Sequence, residues 1–272
     1  PLGTDAELST VLNGMGFGVL VHLDGHNGGS RLSVFAMGVS PVQVAYRFCA
    51  SVGADYIPWY MGDAVMAPPE YSAFLFTERM VFLPPSYLAN SLSHRFPSSP
   101  PAGPGLGGEV VRSRGLLGVP EGAFVYSCFN RVLKIHPATF RAWVSILERV
   151  PGSVLWLLRF PPQAEKHMRR EAERAGLARE RLVFTSLAEE DRFLAMSLAT
   201  DLSLDTPTCN AHTTATYSLW AGTPQLSVPG VRPVSRVSAS LLQAANASGV
   251  FCFRSLEEYV EAAVAIGLGG RG

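Results

Sequence analysis

The chain has 272 residues, enough for one large domain or two small ones with real cores. Hydrophobic residues make up 47% and charged residues 16%, which excludes a disordered chain and suits a globular α/β protein. The formal net charge is zero, so the sequence carries no electrostatic footprint for nucleic acid or a membrane surface.

Residues 4–13 carry no clear signal. Phe17–Asp24 predicts a buried strand that runs into the loop Gly25–Gly29, whose glycines let a ligand or another backbone come close. Arg31–Met37 predicts a short helix, and Pro41–Tyr46 and Asp55–Ile57 predict strands. Pro68 and Pro69 start a turn or helix, and Met80–Leu83 is a strand stopped by Pro84 and Pro85. Phe96–Gly108 is so rich in proline and glycine that it reads as a linker; a surface loop within one domain is the other reading.

The second half is more regular. Ala123–Cys128 predicts a strand, and Pro137 opens a helix at the favoured first position. Phe140, Trp143, Val144 and Leu147 then give the i, i+3, i+4, i+7 stripe of one buried face, ended by Pro151 and Gly152. Strand Val154–Leu158, helix Gln163–Ala175, strand Leu182–Phe184, helix Glu189–Ala199 and strand Leu202–Leu204 follow. Helix Ala215–Trp220, strand Gln225–Val228, helix Ser235–Ala245, strand Val250–Cys252 and helix Leu256–Ile266 finish the chain. This alternation implies a parallel, doubly wound sheet.

Asp205–Thr214 is the strand-to-helix loop around which the chain is organised. It puts Thr213 and Thr214 at a helix start, where threonine is a good N-cap. Free N–H groups and partial positive charge make a helix start a phosphate site, and ligands of open α/β sheets sit beyond the strands' carboxyl ends. On spacing alone, caps at Thr213 and Thr214 and a packed His212 explain the loop equally well. The basic residues are 20 arginines and only two lysines, Lys134 and Lys166. Lys166 lies in a charged helix and reads as solvated. Lys134 lies just past a strand end, where a compact ammonium can meet a phosphate; a surface lysine is the alternative. The four cysteines are far apart with no zinc spacing and read as reduced, intracellular thiols. No apolar run approaches the roughly 20 residues that span a bilayer. A cytoplasmic or nucleocytoplasmic place is the expectation. His22, Asp24 and His26 alternate and would share a strand face, which suggests a metal only weakly without a fourth ligand.

Leu204–Thr214 followed by Leu219–Pro224 closely resembles the sugar-nucleotide loop of the protein O-GlcNAc transferases, whose sister group is the SPINDLY-type protein O-fucosyltransferases. Phe129–Pro137 and Val150–Pro161 match too, and His22–His26 through Ser40–Val44 match more weakly. The resemblance spans most of residues 17–265 and is strongest over 123–230. It implies a GT-B glycosyltransferase: an incomplete N-terminal Rossmann-like half over 1–96, a linker over 97–122, and a nucleotide-sugar-binding half over 123–272. It implies metal-independent transfer of GlcNAc from UDP-GlcNAc to Ser/Thr hydroxyls of proteins, with inversion and no cofactor. GDP-fucose is the sister group's donor, but the spelling of Asn210–Thr214 and Trp156–Pro161 favours the GlcNAc branch.

The resemblance also assigns residues. Lys134 neutralises the leaving diphosphate, and His212, Thr213 and Thr214 lie beside it. Ala188 reads the base through its backbone. Phe193 falls where the family has a histidine against the nucleotide; stacking and simple core packing are both open. Arg131 replaces a glutamine near the nucleotide and adds a phosphate contact. His26 is the second catalytic candidate, touching sugar or acceptor, with an ordinary loop histidine as the other reading. Asp205 orients the loop through backbone N–H groups. Three positions depart from the family: Tyr217 replaces the acid that holds the ribose, Glu190 a lysine near the phosphates, and Gly18 a histidine at the cleft. The family's first catalytic segment, its tetratricopeptide repeats that present substrates, and its C-terminal helix are missing here. These departures leave open a piece of a larger protein or an inactive nucleotide-sugar-binding homologue.

Overall fold

A computed structural model describes residues 3–97 and 114–269, so the expected linker lies, past Pro97, outside the described residues up to Arg114. The chain divides into two compact units. The first holds the described residues up to Ala89 together with Val231–Ala244; the second holds those of Asn90–Gly230 and those from Ala245 on.

In the first unit, helix α1 (Asp5–Met15) forms where the sequence is silent. Its signal is local: Thr4 and Glu7 make a reciprocal capping box, and Gly16 ends the helix in the left-handed region. Strands β1 (Val19–His22), β2 (Val42–Tyr46), β3 (Trp59–Gly62) and β4 (Arg79–Phe82) form a parallel sheet in the order β1-β2-β3-β4, with helices α2 (Leu32–Ala36) and α3 (Pro69–Leu75) between them. β1 is shorter than the expected Phe17–Asp24 and is an edge strand, with Val19 and Val21 exposed. The strand expected at Asp55–Ile57 is instead β3. Ala54–Ile57 closes a turn, with Ile57 N–H donating to the Ala54 carbonyl, and Ile57 fills the core from that turn.

The second unit begins with helix α4 (Leu92–Arg95). Strands β5 (Val125–Cys128), β6 (Val154–Leu158), β7 (Leu182–Thr185), β8 (Leu202–Leu204) and β9 (Gln225–Leu226) are all parallel, in the order β7-β6-β5-β8-β9. Helices α5 (Pro137–Arg149), α6 (Pro162–Arg174), α7 (Glu190–Leu198) and α8 (Thr213–Trp220) are the crossovers. Helix α9 (Val237–Ala244) then returns the chain to the first unit, where Ser240 donates to the buried Asp63 carboxylate at 2.6 Å. Back in the second unit come helices α10 (Ser248–Phe251) and α11 (Leu256–Gly269). The strand expected at Val250–Cys252 is α10 followed by a single parallel bridge from Cys252 to Ser227.

Every residue of β6 is buried, as a parallel strand covered on both faces requires. Leu155 and Leu157 pack with Trp143, Ile146 and Leu147 of α5 and with Tyr259 and Ala263 of α11. Val154, Trp156 and Leu158 face the other way, toward Met196 and Ala199. At about 1.5–3 kcal/mol for each large side chain buried, these two layers fix the sheet on which the loops stand.

Candidate functional site

β5 and β8 are neighbours, yet the strands that follow β5 in sequence build outward on its other side. Their boundary is a topological switch point, where loops leaving the carboxyl ends diverge and open a crevice. β5 runs into Phe129, Asn130, Arg131 and a 3-10 turn over Val132–Lys134. β8 runs into Asp205–His212 and then α8. The Lys134 ammonium donates a 2.6 Å hydrogen bond to the Asn210 carbonyl, so the two loops meet.

A buried frame holds them there. The Asp205 carboxylate, 2% exposed, accepts from the N–H groups of Thr206 at 2.8 Å and Ala211 at 2.7 Å, and from the Ser227 hydroxyl at 3.3 Å. This is the loop-orienting role expected of it, and several donors are what a buried charge needs. Asn130 joins the loops: its Nδ2 donates to Thr206 Oγ1 at 2.8 Å and Asp205 Oδ1 at 3.3 Å, and its Oδ1 accepts from the Thr214 hydroxyl at 3.2 Å. From α11, the fully buried Tyr259 donates to the Asp205 carbonyl at 3.2 Å while accepting from Trp143 Nε1. Burial pushes the Tyr259 phenol well above its ordinary range, and it pushes the Cys128 thiol beneath the loop up to about 12.

His212, not a threonine, is the N-cap of α8, and its side chain makes no capping bond. Thr213 and Thr214 are the first helical residues, and the first N–H groups of a helix have no partner within it. Arg131 is exposed and lies over the Phe160 ring, 4.6 Å from its centroid. Ala188 and Phe193 belong to the β7–α7 side. Phe193 packs edge-on against Phe129 at 5.5 Å and Tyr217 at 5.2 Å, so core packing is one of its roles. The Glu190 carboxylate, ion-paired with Arg95 of α4, is near enough to the Tyr217 phenol to act on it. Burial first, then the Glu190 carboxylate, raises the Tyr217 phenol.

Lys134, Arg131, His212, Thr213 and Thr214 therefore gather at the β5/β8 boundary, with Ala188 and Phe193 beside them. His26 lies in the first unit, bonded to the Ser51 carbonyl at 3.0 Å and edge-on to Phe48. Its neighbour Gly25 has φ +53°, and a Cβ there would stand 2.3 Å from the Phe48 ring, so only glycine fits. His22 bonds instead to Gly25 and Ser30. Among the described residues, no three His, Cys, Asp or Glu side chains come together as a metal site would need. A separate cavity of about 660 Å³ lies between α5 and α6, walled by Phe140, Val144 and Met168. It shares Val132 and Ile135 with the switch-point loops, and Arg141, Glu148, His167, Glu171 and Arg174 are among the rest of its lining.

The sequence missed three members of this arrangement. Asn130 stood inside a quoted motif, and its bridging role needs β5 beside β8 to be visible. Tyr259 lies 54 residues from Asp205 with no local signal. Arg95 lay next to the linker in a helix that the pattern did not mark.

The model of the family described as glycosyl transferase family 41 matches residues 4–98 and 106–270. The chain belongs to glycosyl transferase family 41. A family-41 relative from Arabidopsis thaliana, the probable UDP-N-acetylglucosamine–peptide N-acetylglucosaminyltransferase SEC, is 35% identical over 98% of this chain and 27% of its own length. The UDP-N-acetylglucosamine–peptide N-acetylglucosaminyltransferase of Caenorhabditis elegans is 40% identical over 58% of this chain and 14% of its own. The solved structure of a Thermobaculum terrenum O-GlcNAc transferase mutant superposes with a TM-score of 0.82 at 30% identity, over 98% of this chain and 49% of that one. The fold is thus the GT-B α/β class. The chain spans about a quarter of the plant relative and half of the solved one. No helix among the described residues is long and apolar enough to cross a membrane.

Proposed function

We propose that this family-41 chain binds UDP-GlcNAc at the β5/β8 switch point and serves the inverting transfer of GlcNAc to Ser/Thr hydroxyls of proteins. The observation that carries the reading is the 2.6 Å bond from Lys134 to the Asn210 carbonyl, which sets a lysine ammonium beside the loop leading into α8. In the reaction the acceptor oxygen bonds to the anomeric carbon as the bond from that carbon to the β-phosphate oxygen breaks. The electron pair stays on the phosphate, and the hydroxyl proton leaves to a base. Negative charge grows on the diphosphate, and catalysis needs that charge met by groups already in place.

Lys134 takes part of this charge by trading the Asn210 carbonyl for a phosphate oxygen. The first N–H groups of α8, with Thr213, Thr214 and His212, take the rest. Arg131 adds a cation at the rim, Ala188 offers backbone to the base, and Phe193 offers a ring edge. Neutralisation by side chains and a helix start is a metal-independent design. The acceptor is a protein in the cytoplasm or nucleus, presented by a repeat domain.

The test is mass-spectrometric detection of HexNAc on a Ser/Thr peptide after incubation with the full chain and UDP-GlcNAc. Lys134→Ala should lower the transfer rate roughly 10²–10³-fold, the usual effect of removing a transition-state charge partner. Transfer that survives Lys134→Ala unchanged would refute the role. Transfer from GDP-fucose alone would move the chain to the sister activity. Tight UDP binding without transfer to any acceptor would make it a binding module.

A further inference from the structure

We infer that the groove between α5 and α6 is a self-association surface: α5 of a second copy of this chain lies in it antiparallel, with Arg141 of each copy facing Glu148 of the other. The groove is the cavity of about 660 Å³ whose apolar lining is Val132, Ile135, Phe140, Val144 and Met168. Val132, Ile135 and Phe140 are half-buried, so apolar surface stays uncovered between two charged ridges. A groove between two helices takes a third helix, whose ridge of side chains fills it.

The charges decide which helix. Arg141 and Glu148 are seven residues apart on α5, so they stand on one face about 10 Å apart. Both are exposed, both line the groove, and neither makes a hydrogen bond or ion pair among the described residues. Their charged neighbours in and beside the groove are already matched. Arg149 clasps Glu261 of α11, Arg174 pairs with Glu171, and His167 accepts from Arg170. A two-fold axis passing between Val144 and Ser145 sets each uncompensated cation against the uncompensated carboxylate of the other copy, twice over. A two-fold contact needs a patch that complements itself, and one cation and one carboxylate at equal distances from a centre meet that need. A partner of any other sequence would have to match this spacing separately. The shapes agree as well, since each copy's α5 is the ridge that fills the other's groove. Helices α5 and α6 have 13 residues each, about 20 Å, so the contact is small and the pair exchanges reversibly.

The experiment is sedimentation equilibrium of the full chain in reducing buffer, from roughly 1 µM to roughly 1 mM, the range of small reversible interfaces. The wild type should pass from monomer to dimer across it. Arg141→Glu and Glu148→Arg each set like charges against each other at both contacts and should weaken the dimer about tenfold or more. The double variant Arg141→Glu/Glu148→Arg restores both contacts with the signs exchanged and should dimerise within about threefold of the wild type. Mixing the two single variants should give a mixed dimer tighter than either variant's own, because one then carries two acids and the other two cations. All four proteins should melt within a few degrees of one another, since both positions are exposed. A wild type that stays monomeric throughout overturns the inference and leaves the groove to a different partner or a small molecule. A dimer that neither single reversal weakens overturns it by placing the contact on another face. Single reversals that weaken the dimer with no recovery in the double variant or the mixture overturn it too, since the two charges would not be meeting each other.

Discussion

Asp205 is the residue on which the site frame depends, because one buried carboxylate organises both ends of the loop. Replacing it with asparagine keeps the shape and an oxygen for the Thr206 and Ala211 N–H groups, but removes the charge and puts a donor where the Ser227 hydroxyl now donates. Hydrogen bonds to a charged acceptor are worth about 1.5–3 kcal/mol against about 1 for neutral ones, so losing the charge costs about 1–2 kcal/mol. Asp205→Asn should therefore lower the denaturation midpoint by at least that equivalent and abolish detectable UDP binding. An unchanged midpoint measured in urea would show that the hydrogen bonds around Asp205 do not set the loop. The residues of the loop were readable from their spelling, since Lys134, His212, Thr213 and Thr214 sit in motifs. Asn130 and Tyr259 were not, because their work is a contact between strands and helices far apart in sequence.

At the scale of elements, legibility followed burial. β6 and α5 were plain because a doubly covered strand and a core-facing helix write their periodicity into the chain. α1 was invisible to periodicity, its buried face being slight, although Thr4 and Glu7 carried its start. β3 was misplaced because an apolar Ile57 in a turn imitates a strand residue. Helix α6 carries an electrostatic prediction. Glu165 lies between Arg159 and Arg169. Burial alone would raise its carboxyl, but the hydrogen bonds from the two arginines outweigh burial and hold it below the ordinary 4.5. A depressed carboxyl stabilises the fold above the unfolded value and loses that contribution as pH falls through the folded one. Stability of the wild type should thus fall more steeply between about pH 5 and pH 3 than that of Glu165→Gln. Parallel acid limbs in the two proteins would show that the arginine pair contributes nothing.

At the scale of the molecule, two parallel-sheet units were foreseen from alternating strands and helices and from the resemblance to O-GlcNAc transferases. The return of Val231–Ala244 to the first unit was not, because its anchors are bonds to distant segments, from Ser240 to the buried Asp63 and to Ser86 and from Arg236 to the Val65 carbonyl. Family-41 membership and the switch-point geometry converge on one claim: a diphosphate is held between Lys134 and the start of α8. A crystal structure of the chain soaked with UDP tests this most directly. The account predicts diphosphate oxygens within hydrogen-bond reach of Lys134 Nζ and of the N–H groups at Thr213 and Thr214. UDP bound elsewhere, such as in the cavity between α5 and α6, with Lys134 still on the Asn210 carbonyl, would contradict it.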